Sequence, residues 1–411
     1  MGTLRCIVLL ACFQIAAFSD PGCVIELSCR ECIPDNMPLI SSHRATSGAV
    51  RLSSGEQIGL VCRGNKFLAW PQQHTVLAVC EGGRYRVQID NTLRHLLELG
   101  CQENIFEDVL HHVDHCAPPN QGRAYQSPGS RGARHLAALC YDSDRAIPLA
   151  ARASATGPAL PPHREQDAPR SLLGNFNQMF DTRTRTDTDH LYSDEKRLNK
   201  RVREILRHDP VSLSDQELTS ATLLSPHYFD DQDMRVADFP SNRIAAWKGI
   251  AHGNLRHLHK DVSEVLRHAR SNSSQLDVWT GTHNIMSFRA DSKRVELYLK
   301  PGRFPVPKYI WTLVHDPHQN KAIAIVVLND PFVAVSEIRA SVFCESMCAR
   351  ASWLKSLLRN RNYESPVYGL VFCCNVHDFT NVVTEMPKAV VATVPKGIDG
   401  LLTDYPNQNH V

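Results

Sequence analysis

The stretch "SATLLSPHYFDDQD", residues 220–233, is followed shortly by "NRIAAWKGIAHGNLRHLHKDVSEVLRHAR", residues 242–270, and the reading of these two pieces decides the fold. The first is a short apolar run ending at Leu223 and Leu224, then a Ser225-Pro226-His227 turn, then acids at Asp230, Asp231 and Asp233. The second closes in a helix. Across 254–270, Leu255, Leu258, Val262, Val265, Leu266 and Ala269 recur at helical spacing and fall on one stripe. Strand, turn, loop and helix therefore follow one another, with Asn and His side chains along them.

Downstream, "LDVWTG" (276–281), "RVELYLK" (294–300), "YIWTLVHD" (309–316) and "KAIAIVVLN" (321–329) read as strands, and the "HDPHQNK" turn predicts that the last two form a hairpin. Upstream, residues 20–150 hold short β-like pieces such as "QIGLVC", "TVLAVC" and "RYRVQI" punctuated by turn residues. Between them, 151–175 is rich in Ala and Pro without periodicity and reads as a linker. The expected class is α+β, with a cysteine-rich β subdomain at 20–150 and a second domain at 176–411.

The chain has 411 residues, 43% hydrophobic and 21% charged, with a formal net charge of +2. That is apolar material for two cores, and the near-neutral balance gives no whole-chain argument for nucleic-acid binding. Residues 1–19 carry Arg5, then an apolar stretch to Phe18, and end in small residues before polar "SDPGC". This is the pattern of a secretory signal, and no later segment has the ~18 apolar residues of a membrane span. The expected protein is secreted and extracellular, with no membrane contact. Of fourteen cysteines, Cys6 and Cys12 fall in the signal. The remaining even number reads as disulfides, crowded before residue 141 and absent until Cys344. Cys29-x-x-Cys32 lacks a second half for zinc, and "HHVDHC" (111–116) reads as a solvated loop ending in a bridged Cys116.

No GxSxG, GxxxxGK[ST], HExxH or GxGxxG motif is present, which removes the usual support for serine hydrolase, nucleotide triphosphatase and zinc protease chemistry. Other stretches carry a positive signal. "LDVWTGTHNIM" (276–286), the "PVPKY" hairpin region of 297–329, "FCESMCARASWL" (343–354) and "YGLVFCCNVHDF" (368–379) together resemble the DNA/RNA non-specific endonucleases, a family with a ββα-metal (His-Me finger) site. The likeness is to their secreted, cysteine-bearing animal members. It implies disulfides at Cys344, Cys348, Cys373 and Cys374 without fixing their connectivity.

The resemblance also implies metal-assisted phosphodiester hydrolysis. In that family an Arg-Gly-His closes a strand before a Leu-Ser-Pro turn, and its His is the general base. An Asn holds one Mg²⁺, and a second Asn and a Glu assist. In this chain Leu224-Ser225-Pro226 matches the turn, which sets Leu223 at the base. Asn242, Trp247, Gly253 and Asn254 keep the spacing. Asn242 stands at the assisting Asn, Ala251 at the metal-binding Asn and His259 at the Glu. Leu223 cannot accept a proton, and Ala251 offers a hard cation no oxygen. The expected protein is catalytically degenerate, with Mg²⁺ the family's ion but not held here. What it keeps is at most a sequence-independent grip on a DNA or RNA backbone through Arg243, Lys248, Arg256, Lys260 and Arg267, unless these are only solvated charges.

Two alternatives stay open. His227, His252 and His259, with Asp230 or Asp231, could rebuild a site for a different divalent metal, provided the helix reaches back to His252. Or the fold serves only as a disulfide-stapled scaffold for protein partners. "SRGARH" (130–135) looks like the missing Arg-Gly-His but is split by two residues and leads into "LAALCYD", a strand of the first part. Asn272-Ser-Ser is an N-glycosylation acceptor.

Overall fold

The computed structural model describes residues 21–26, 32–34, 36–43, 49–62, 65–102, 105–127, 134–154, 182–192, 194–205, 216–230, 233–290, 293–360, 362–386 and 388–405. The signal segment, Cys29, Asp231, most of the linker and the "SRG" of the split motif lie outside them.

The hairpin expected from "HDPHQNK" is present. Pro307–Asp316 and Lys321–Leu328 pair antiparallel from Tyr309↔Leu328 to Asp316↔Lys321. Asp316 makes the turn itself: its Oδ1 accepts from the backbone N of His318 (2.9 Å) and Gln319 (3.0 Å). This hairpin supplies the second and third strands of an eight-stranded antiparallel sheet in the order 371–374, 321–328, 307–316, 277–285, 147–154, 134–142, 121–127, 107–110. The two hairpin strands are near-continuous buried runs because both of their faces are covered. Ile323, Ile325 and Val327 enter one core, while Ala322, Ala324, Val326 and Leu328 enter the other.

Two expectations are corrected by this sheet. Residues 151–154 are not linker but the end of the strand Ile147–Ser154, which pairs with Asp277–Ile285 from Ala150↔Gly281 to Ser154↔Asp277. Its Ala150 faces the core that holds Trp311, whereas Ala151 and Ala153 face the other. A Cβ on Gly281 would fall 2.1 Å from Trp311 Cζ2 and 2.4 Å from Leu149 O, so this crossing accepts small residues. The four strands between Glu107 and Ser154 thus belong to the same sheet as the second half. A sheet of 39–40, 57–61, 75–81, 84–87 and 93–94, and a pair of 23–26 with 49–52, stand apart from it.

Five disulfides join described residues: Cys23–Cys80, Cys62–Cys101, Cys116–Cys140, Cys344–Cys374 and Cys348–Cys373. Cys32 is also disulfide-bonded. Neighbours on a strand point to opposite faces, so Cys373 sits in one core and Cys374 in the other. The adjacent cysteines therefore tie the segment holding Cys344 and Cys348 to the edge strand from its two faces, and each face of the sheet has its own covering. One covering is the C-terminal segment with Phe379, Val383 and Val390. The other is the unit flagged by the sequence: an antiparallel hairpin of Leu218–Thr222 with Arg243–Trp247, followed by the helix Asn254–Ser271. That helix turns Leu255, Leu258, Val262, Val265, Leu266 and Ala269 to the core as predicted. No helix of the described residues is long and apolar enough to cross a membrane.

Candidate functional site

The hairpin's ladder runs from Leu218↔Trp247 to Thr222↔Arg243 and continues one step further, with Leu223 N donating to Asn242 O at 2.9 Å. There the side chain of Asn242 takes over. Its Oδ1 accepts from Leu224 N (2.8 Å), and its Nδ2 donates to Leu224 O (2.9 Å) and Ala237 O (2.8 Å). At 1% exposure, this amide is committed to holding the turn. The following turn is clamped from the far end of the helix, where Arg270 donates to Tyr228 O and lies 3.4 Å from Asp230 Oδ1.

A second brace comes from the first half of the chain. Ser241 Oγ donates to Asp108 Oδ2 at 2.6 Å and lies 2.8 Å from Tyr125 Oη, while Arg123 holds the same carboxylate through Nε and Nη2, each at 3.1 Å. All four residues are buried. Burial pushes the Asp108 carboxyl up, and Arg123 pulls against it. Sequence reasoning did not find this network. Residues 108 and 241 share no local pattern, and nothing short of the sheet pairing brings them together.

Leu223 departs from its expected surroundings. At the position that the resemblance gives to the general base, it is 0% exposed and packed in the main core, as is Leu224. Its backbone O faces Thr280 Oγ1 at 3.4 Å on the central sheet. Ala251 is half-buried against the same core. His259 is half-buried with its ring 5.6 Å from that of Tyr228, and burial, reinforced by His227, pushes its imidazole down to about 4.

The alternative metal centre does not assemble among the described residues, where no group of three or more His, Cys, Asp and Glu side chains is placed to hold an ion. The reason lies in the backbone. The helix does not reach back to His252: Lys248–Ala251 is a separate turn that ends there, and Gly253 follows at φ −92°, ψ −119°, outside helical geometry. His252 and His227 are exposed on separate segments. Nor does the family's magnesium fit the residues present. Ala251 has no donor atom, Asn242 has its amide tied to backbone, and His259 offers a buried nitrogen where a carboxylate would be needed.

The basic set is smaller than expected. Arg243 pairs with Asp238 (3.2 Å), Lys248 with Glu195 (3.2 Å) and Arg267 with Glu264 (3.8 Å). Arg256 and Lys260 are exposed, and among the described residues neither has an ion-pair partner. Of the split motif, Arg134 pairs with Asp233 and His135 lies in the strand Arg134–Asp142. In "HHVDHC", Cys116 is bridged as expected, but His115 is no solvated residue. Its ring packs 5.0 Å from Trp279, and burial lowers its pKa to about 4.

No protein-family model matches the chain. It is 23% identical over 152 residues to salivary protein Tsal1 of Glossina morsitans morsitans, covering 36% of each chain. It is 25% identical over 149 residues to a salivary endonuclease of Lutzomyia longipalpis, covering 36% of this chain and 34% of that one. Against salivary protein Tsal2A of Glossina morsitans morsitans it is 26% identical over 212 residues, half of each chain. The matches thus span between about a third and a half of these relatives' own length. A solved structure of an EndoG/EndoGI complex aligns over 50% of this chain and 74% of that chain, at 12% identity and a TM-score of 0.28. The architecture is that of a disulfide-stapled α+β protein, with the "LSP" turn on its strand–strand–helix unit and the motifs of 276–374 on the large sheet beneath. Over about a third of its length the chain is thus similar to a protein named a salivary endonuclease, in keeping with the resemblance carried by its sequence motifs.

Proposed function

We propose that this chain is a secreted protein in which the hairpin 218–247 and the helix Asn254–Ser271 form the ββα unit of the non-specific endonucleases, no longer able to hydrolyse phosphodiesters. The observation that carries this reading is the burial of Leu223 at the position of the general base. A leucine there can neither take a proton nor be reached by a phosphate, and losing a general base costs about 10²–10⁴ in rate. The residues at the remaining positions supply no hard oxygen for a divalent cation, and without that ion the scissile phosphate loses its charge stabilisation. What remains chemically is attraction of a polyanion to Arg256 and Lys260, which is independent of sequence and sensitive to salt.

Support for secretion comes from the five disulfides and from the salivary relatives. The test is incubation of protein purified from a secreting host with plasmid DNA and with RNA in Mg²⁺, Mn²⁺ and Zn²⁺, beside a measurement of DNA affinity at low salt. Binding without cleavage is expected. Efficient cleavage in magnesium would overturn the reading.

A further inference from the structure

We infer that Asn272 carries an N-linked glycan, an inference that rests on the secretory reading above. Asn272-Ser273-Ser274 is the one Asn-x-Ser/Thr triplet in the 411 residues. The fold adds what the motif alone does not, namely whether a bulky sugar on that amide has a way out. Asn242, Asn254 and Asn329 are at most 1% exposed, with side-chain amides that donate to backbone carbonyls. Asn272 differs. It is exposed together with Ser271 and Ser273, and its Nδ2 lies 2.8 Å from His268 Nε2 one helical turn back. A glycosylated amide keeps one N–H, so this local contact survives the modification.

The end of the long helix presents the triplet. Asn272 is its C-cap, Ser273 takes φ +53°, Ser273 N donates to Arg270 O at 3.2 Å and Ser274 N donates to Ala269 O at 2.9 Å. A left-handed residue beyond the cap with these two hydrogen bonds is a Schellman motif. The triplet therefore coincides with the helix stop residue for residue. Backbone groups alone make the two bonds, so the cap does not depend on the Asn272 side chain. Its inner side is fastened: Ala269 is buried in the main core, and Arg270 donates to Tyr228 O. Asn272 is left on the outer side, beside His268, whose ring is 6.3 Å from that of Tyr405. In the transfer, Asn272 Nδ2 bonds to the anomeric carbon of an oligosaccharide held on a lipid-linked diphosphate. The bond from that carbon to the phosphate oxygen breaks, the diphosphate leaves, and one amide proton is released. Nothing is oxidised or reduced.

The experiment expresses the full chain with its own first residues in secreting mammalian cells. Protein from the medium and from the microsomal fraction is weighed by intact mass before and after treatment with peptide-N-glycosidase. Wild type should lose the mass of a single glycan, and the treated protein should carry Asp in place of Asn272. Asn272→Gln and Ser274→Ala should each have a mass that the glycosidase does not change. Ser273→Gly keeps the triplet and suits φ +53°, so it should lose a glycan as wild type does. Wild-type protein in the medium or microsomes with a mass the glycosidase does not change, or a glycan that persists in Asn272→Gln, would overturn the inference while the secretory reading stands. Recovery of the chain from the cytosol alone would bring down the secretory reading and this inference with it.

Discussion

Leu224 and Asn242 hold each other reciprocally: Leu224 N donates to Asn242 Oδ1 at 2.8 Å and Asn242 Nδ2 donates back to Leu224 O at 2.9 Å. A side-chain amide thereby imitates one more rung of a β-ladder, just where the strands stop pairing. The position matched to an assisting catalytic residue is used here to fix the turn. Asn242→Ala would leave Leu224 N, Leu224 O and Ala237 O buried without that partner. The expected loss is about 2–4 kcal/mol, read as a lower urea midpoint at unchanged slope. Asn242→Asp should be no better, since a carboxylate would face two carbonyl oxygens. A stability equal to wild type would exclude this role.

Restoring the base alone should not restore a nuclease. Leu223→His puts an imidazole into the main core in place of a fully buried aliphatic group. The cost is about 2–4 kcal/mol. With Ala251 and His259 unchanged, no hard oxygen ligand is gained. The variant should unfold earlier on heating and show no plasmid nicking in magnesium above that of wild type. Cleavage by this single variant would mean that the other positions still function.

Much of this architecture was legible because it is local. The helix at 254–271 and the hairpin about Asp316 follow from side-chain periodicity and turn chemistry. Tertiary pairing was not legible. The strand Ile147–Ser154 looks like linker because its alanines show no strand-like pattern, and the strand that pairs with it, Asp277–Ile285, is more than a hundred residues away in sequence. The break at Gly253 depends on a loop from 362–369 pressing on it. The free charge of the unit is overestimated from sequence for the same reason: Lys248 looks free until Glu195 is placed 3.2 Å from it. Leu223 shows the limit at the site itself. Its residue type excludes base catalysis, but only packing shows that a phosphate could not reach it.

The buried imidazoles make acid sensitivity a specific expectation. Burial pushes His259 down from 6.5 to about 4, with the charge of His227 adding to the effect, and His115 down to about 4. Between those values the unfolded chain binds protons that the folded chain does not, so stability rises with pH there. It should be fully present above about 6.5 and fall as pH drops toward 4. His259→Phe keeps a ring against Tyr228 and removes one titrating group. Its plot of unfolding free energy against pH should be shallower by up to one proton in this window, with His115 and His315 sustaining the rest. An unchanged slope would show that His259 titrates normally.

The ion pairs set how steeply any DNA binding depends on salt. Five basic residues along the unit would release counterions from five phosphates, giving a slope of about −4.5 in log affinity against log salt. Arg243, Lys248 and Arg267 each have a carboxylate within 4 Å. If such a cation swings toward a phosphate, its carboxylate stays close by, and the net charge delivered is near zero. Only Arg256 and Lys260 bring uncompensated charge, so the slope should be about −2, and affinity should be lost well below physiological ionic strength. Glu195→Gln frees Lys248 without touching the core and should steepen the slope by about one. A wild-type slope near −4.5, or a Glu195→Gln slope equal to wild type, would show that these carboxylates do not limit the interaction.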